Sequence, residues 1–280
     1  MKIMIGTQMY PWLQDCHRRG VDFNAHLDDV LARTAAAGLA MFEHTLGSEA
    51  DVLTIAPLLR RHELAMPVAY CGGVLHDERS TATIATIATI VRLATLAAEK
   101  CGVRIINVNP DPIAWGQPHD KSDAQLRHQA AALGNLGARL AAAGIRLAYH
   151  IHAPEMRAGA REFHFMLTAN DPKDVGLCLD THWIYRGAGN SQAALESVLA
   201  LYGPRIASLH LRQSHNGVWS EYLAPGDIDY DTVATALRGC GFSGPATLEQ
   251  AFETGTPHTM DMTASLRHGA DFVRRVFAKT

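Results

Sequence analysis

Cysteine is scarce in this 280-residue chain, and its five copies are scattered. Cys16, Cys71, Cys101, Cys178 and Cys240 form no CxxC pair. An odd, dispersed set is not a disulfide framework and reads as reduced intracellular thiols. Runs of basic charge are missing too. Twenty-five Lys and Arg against 28 Asp and Glu leave a net charge of −3. The electrostatic footprint of a nucleic-acid binder is therefore absent, and a small-molecule substrate fits better. The opening "MKIMIGTQMYPW" lacks the apolar length of a signal peptide, and no segment reads as long enough to span a bilayer. The cytoplasm, with no membrane partner, is the expected compartment. A Gly-rich phosphate fingerprint is also lacking, because "GTQMYPW" after the first apolar run is not GxGxxG.

What is present is an alternation. Hydrophobic residues make up 48% of the chain and charged residues 19%, which is enough to bury a sizeable core. Short runs rich in Val, Ile and Leu recur eight times, at 2–6, 39–43, 66–70, 104–108, 146–150, 175–180, 206–210 and 246–249. Between them lie longer segments at helical spacing. The segment 22–38 starts polar and ends on Gly38, and 120–144 carries a cap at Ser122 and closes on Gly144. In 81–102, Ile84, Ile87, Ile90, Val91 and Ala94 predict one buried stripe rather than a functional repeat. Strand and helix in turn imply parallel pairing through right-handed crossovers. Eight units predict a single (β/α)8 barrel over residues 1–280, a length such barrels reach as one domain.

In that fold the C-terminal strand ends build the active site. The fifth strand ends in His150, the sixth in Asp180, the seventh in His210 and the eighth in Glu249. Each alone is more often a satisfied strand terminus, but four on neighbouring strands at one level form a set. Two buried carboxylates meeting two imidazoles need a compensating cation. Mixed N/O ligation suits a divalent metal, with Mn²⁺ first and Co²⁺, Zn²⁺, Fe²⁺ or Mg²⁺ behind it. Side chains two apart share a face. That alternation adds His152, His182 and Arg212 to the mouth. Gln8, Glu43, His44, Tyr70, Asn107 and Asn109 at the earlier strand ends, with Trp183, complete a substrate-binding set for a hydroxyl-rich ligand. Glu155 is a spare acid without a place. The long loop 213–227 carries Trp219 and Tyr222 as a candidate lid or dimer contact; a homo-oligomer is compatible with it.

"RLAYHIH", "VGLCLDTHW", "IASLHLRQ", "APGDIDYDTV" and "PATLEQ", in order over nearly the whole chain, resemble the xylose-isomerase-like barrel superfamily. That superfamily includes sugar isomerases and epimerases, inosose dehydratase and apurinic-site endonucleases. "YHIH" is similar to its inosose-dehydratase-like branch. The resemblance implies a metal on a Glu, Asp, His, Glu set, matched by Asp180, His210 and Glu249, with His150 in the first place. It also implies proton abstraction beside a carbonyl polarised by the cation. Glu249 is the expected proton-exchanging carboxylate and His150 or His152 the second acid/base, since imidazole titrates near neutrality.

Two departures stand out. His150 breaks the symmetric carboxylate pair of ketose epimerases, and D-T-H-W replaces D-T-x-H, with His182 one place early and Trp183 where the histidine usually sits. A sugar isomerase or epimerase is the first expectation and a dehydratase, hydratase or lyase the second. An apurinic-site endonuclease and a non-catalytic sugar-binding barrel follow.

Overall fold

The eight apolar runs become strands because one face of each is rich in β-branched and large apolar residues that pack under helices. The structure, a computed structural model, describes residues 3–77 and 81–278. Its barrel strands are β1 (Ile5–Gln8), β2 (Met41–Glu43), β3 (Val68–Gly73), β4 (Ile105–Pro110), β5 (Arg146–Tyr149), β6 (Gly176–Asp180), β7 (Ile206–Leu211) and β8 (Ala246–Leu248). They pair in parallel in the order β2-β1-β8-β7-β6-β5-β4-β3. Between β2 and β3 only the isolated parallel bridges Met41 to Ala65 and Thr45 to Tyr70 complete the ring. The protein is a single (β/α)8 barrel.

Outward residues such as Phe42, Ile106, Val108, Tyr149, Leu177, Leu179, Leu209 and Leu248 are fully buried beneath the helices. At Gly6 the strands approach so closely that a Cβ would lie 2.2 Å from Met41 Cγ. Ser122 caps the helix Asp123–Ala142 in a capping box with Gln125, and Gly38 and Gly144 follow their helices at positive φ of 78° and 71°.

Three expectations need correction. The first strand lies at Ile5–Gln8 rather than 2–6, because Thr7 and Gln8 continue the ladder beside Phe42 and Glu43; Lys2 lies outside the described residues. In the helix Thr81–Cys101, Ile87, Ile90 and Ala94 are buried, yet Ile84 is 63% exposed and Thr83 takes its place on the stripe. That helix is also long and apolar enough, by length and composition, to cross a membrane. The expectation that no segment would be is therefore wrong, but the apolar face of this helix packs on the barrel.

Candidate active site

The strands' inward alternation stacks two polar layers at the C-terminal end of the barrel. In the lower layer Glu43 accepts from Asn107 Nδ2 at 2.9 Å and Thr247 Oγ1 at 2.7 Å, and sits 3.0 Å from His210 Nε2. Ser208 Oγ donates to Asn107 Oδ1 at 2.6 Å. Burial works against a charged Glu43, but His210, Thr247 and Asn107 outweigh it and hold its pKa below the ordinary carboxylate value. A His ring held by a carboxylate on one nitrogen presents the other in a fixed tautomer and direction.

The other nitrogen of His210 faces the upper layer. Ligand atoms of His150, Asp180, His210 and Glu249 all lie within 4.8 Å of one another, and all four residues are buried. His150 Nε2 is 3.5 Å from Asp180 Oδ2, and His210 Nδ1 is 3.4 Å from Glu249 Oε2. None of these four atoms has a hydrogen-bond partner. Asp180 Oδ1, by contrast, accepts from the amides of His182 at 3.0 Å and Trp183 at 2.7 Å and so caps the helix Thr181–Gly187. One carboxylate oxygen is used and the other is left over. Cys178, one step deeper on β6, offers a sulfur near His150 and His210, but this triplet lacks the carboxylates that would offset a cation's charge.

The four residues do not sit at one register level, as the sequence spacing implied. Asp180 pairs with His210, but Tyr149 pairs with Leu177 and His210 with Thr247. His150 therefore aligns with Cys178, and Glu249 lies a step above His210. Tilted strands in a sheared barrel bring such staggered positions to equal height.

Burial would raise Glu249, yet Arg212 and His210 hold it well below the ordinary value. Burial and the neighbouring Glu249 push Asp180 well above its own. Burial, with His210 beside it, takes His150 down to about 3, and burial with His150 does the same to His152. Both imidazoles are therefore neutral at physiological pH, the form that ligates metals and accepts protons.

Above the ring, the structure disperses the substrate-binding candidates. Arg212 Nη2 reaches Glu249 Oε1 at 3.0 Å, and the guanidinium carbon lies 3.7 Å from the Trp219 ring centroid. His152 packs on His150 at 4.9 Å, Trp115 at 5.3 Å and Trp183 at 5.6 Å between ring centroids. His182 lies 6.1 Å from Trp219. Tyr70 meets His150 edge-on at 5.3 Å, and Gln8 ends β1 in register with Glu43. A cavity of about 430 Å³ at the mouth is lined by Trp115, Gln117, His152, Pro154, Arg157 and Trp183. That is a size suited to a small polyol.

Four of the expected substrate-binding residues lie away from the open mouth or already spend polar atoms within the protein. Glu43 and Asn107 spend their polar atoms in the lower layer. Asn109 gives Nδ2 to His150 O and Glu155 Oε1, both at 3.1 Å, and its Oδ1 contacts His152 Nδ1 at 2.9 Å. His44 shares the outward face of Phe42 and packs on Phe23 and Phe42, away from the barrel axis. Sequence reasoning missed Thr247 and Ser208, although each lies two residues before a proposed ligand and so on the same face. It could not place Glu155, which accepts from the His152 amide at 2.8 Å. Burial, with Glu162 nearby, pushes Glu155 up to about 7. It also left Trp219 open; the residue is buried in a short hairpin, Ser214–His215 with Val218–Trp219.

A barrel with this polar ring at its C-terminal mouth places the chain in a class, and a family model confirms it. The chain belongs to the xylose isomerase-like TIM barrel family, whose model matches residues 31–276. Among solved structures it is similar to a D-allulose 3-epimerase from Methylomonas sp., at TM-score 0.74 and 22% identity over 98% of each chain. A 3-keto-D-glucoside 4-epimerase from E. coli superposes at TM-score 0.73 with 17% identity, over 98% of this chain and 100% of that one. A sugar phosphate isomerase/epimerase from Parabacteroides distasonis gives 0.71 and 14% over 98% and 94%. At these identities the structures share the fold. No curated protein sequence matches the chain significantly.

Proposed function

We propose that the protein is a divalent-metal-dependent isomerase or epimerase of a keto-sugar or related polyol. One observation carries the reading: four buried ligand atoms, from His150, Asp180, His210 and Glu249, converge with no hydrogen-bond partner. Leaving such groups unpaired costs several kcal/mol, and a cation taking two imidazoles and two carboxylates removes that cost. This donor set fits Mn²⁺ first, with Co²⁺, Fe²⁺, Zn²⁺ or Mg²⁺ as alternatives. When bound, the ion supplies Lewis-acid polarisation of a carbonyl and the acidity of the adjacent C–H. That sugar epimerases stand among the similar structures agrees with a sugar substrate.

The proton moves on the chain's own groups. Glu249, kept ionised by Arg212, is the carboxylate at the reacting carbon. His152 is the second acid/base, and its tautomer follows from the network. Asn109 uses Nδ2 as a donor twice, so Oδ1 accepts from His152 Nδ1–H and Nε2 keeps its lone pair. Trp115 and Trp183 flank the ring, give an apolar face to a sugar and exclude water. His150, where ketose epimerases place a carboxylate, favours a second reading as a dehydratase acting through the same abstraction. Manganese-loaded enzyme incubated in D₂O with D-fructose, D-allulose, L-ribulose, D-fructuronate and D-fructose 6-phosphate tests both. Deuterium uptake with no other mass change supports isomerisation or epimerisation, and water loss or gain supports the dehydratase. No exchange above the metal-free level sinks both.

A further inference from the structure

Around Arg212 the site holds a group of buried nitrogens, most of them donors, with no hydrogen-bond partner among the described residues. Arg212 is 2% exposed, and its Nη1 has no partner, while Nη2 is on Glu249 Oε1 and Nε on the Glu249 carbonyl. The indole Nε1 of Trp183, the indole Nε1 of Trp219 and both ring nitrogens of His182 are likewise buried and unpartnered. Ring contacts link them: Trp183 to Trp219 at 5.7 Å, His182 to Trp219 at 6.1 Å, and the guanidinium carbon to Trp219 at 3.7 Å and Trp183 at 5.7 Å. Of the two nearby carboxylates, Glu249 spends Oε1 on Arg212 and turns Oε2 to the ring below, and Glu253 is held by Arg186 through two contacts of 2.8 Å. Arg212 shares the inward face of β7 with His210, one step nearer the mouth, so this corner adjoins the proposed reaction centre.

The chemistry of the set leans strongly towards donation. Guanidinium and indole N–H groups donate and cannot accept. A neutral His182 adds one donor and one acceptor, so a hydroxyl could place its own proton there, but it would accept too few bonds to meet the guanidinium and both indoles as well. An anionic oxygen group accepts several such bonds at once, and charge-assisted bonds are the strong ones. We propose that this corner binds an anionic, acceptor-only substituent of the substrate, a carboxylate or a phosphate. The enzyme would then act on a keto-sugar acid or a keto-sugar phosphate in preference to the neutral sugar. This rests on the sugar reading above and narrows its substrate class. It also gives a role to D-T-H-W: the sequence that removes the usual histidine supplies two of the donors.

Calorimetric titration of manganese-loaded protein with D-fructuronate, D-fructose 6-phosphate and D-fructose tests the proposal. At least one anion is expected to bind about tenfold or more tightly than D-fructose, with the preferred anion naming the substituent. Trp183→Phe keeps the ring, removes one donor, and should cut that ratio severalfold; Arg212→Met should erase it. Should Arg212→Met fail to fold, Trp183→Phe still decides. Equal binding of all three ligands overturns the proposal, as does a ratio untouched by Trp183→Phe. Metal-dependent binding of D-fructose without anion preference refutes this inference alone. Anion preference indifferent to metal upholds it and refutes the metal-dependent reading instead.

Discussion

The two polar layers inside the barrel each set a buried glutamate beside His210, yet they differ in how their atoms are spent. In the lower layer the carboxylate of Glu43 meets Asn107, Thr247 and His210, and Ser208 completes the chain. In the upper layer each of His150, Asp180, His210 and Glu249 keeps an unpartnered atom pointing at the other three. A satisfied layer fixes positions, whereas an unsatisfied one waits for a ligand. His210 belongs to both, with Nε2 held below and Nδ1 presented above.

Breaking the upper layer should have the largest effect. Asp180→Asn keeps an oxygen for the amides of His182 and Trp183 but loses the charge at Oδ2. Bound metal by elemental analysis should fall from about one ion per chain to near none, and the deuterium-exchange rate by about a thousandfold. Loss of activity with full metal retention would contradict the ligand assignment. A smaller effect is expected from below. Glu43→Gln preserves shape and removes the carboxylate that orients His210, so metal affinity in chelator competition should weaken by about 10- to 100-fold. An unchanged affinity would make the lower layer mere filling.

The smallest effect tests a histidine outside both layers. Burial takes His44 down to about 4, with Asp51 opposing it. The folded chain therefore resists protonating this ring while the unfolded chain takes up a proton near 6.5. Stability from this group is complete above pH 6.5 and declines as pH falls towards 4. At pH 5.5 the deficit is roughly 1 kcal/mol. His44→Leu should remove that part of the acid slope in denaturant titrations at pH 7.5 and pH 5.5, and equal slopes in both proteins would contradict the placement.

Much of this was legible before the fold was known, and for identifiable reasons. Eight apolar runs predict eight strands because outward faces must be apolar under helices. His150, Asp180, His210 and Glu249 stand out because carboxylates and imidazoles ending apolar runs are costly without a purpose. The direction of Glu43 against His44 was not legible, since neighbouring residues on a strand end face opposite ways and the sequence carries no mark of which is inward. Nor could the stagger of His150 against Glu249 be read, because shear belongs to the closed ring and not to any one strand. Trp219 needed the hairpin to be placed, as pairing of two-residue strands leaves little periodic signal.

The ring is not equally strong all the way round. Seven strand pairs carry ladders, the one between β6 and β7 with a register shift at Leu177/Cys178, whereas β2 and β3 are joined by two isolated bridges, with the amides of Phe42, Leu46, Ala65 and Tyr70 spanning the gap. Barrel breathing should begin at this seam, so these four amides should exchange with solvent deuterium before those of β5 to β7. Glu43 ends one side of the seam and Tyr70 lies on the other. The same weak line therefore runs beside the buried Glu43–His210 pair on which the upper layer stands.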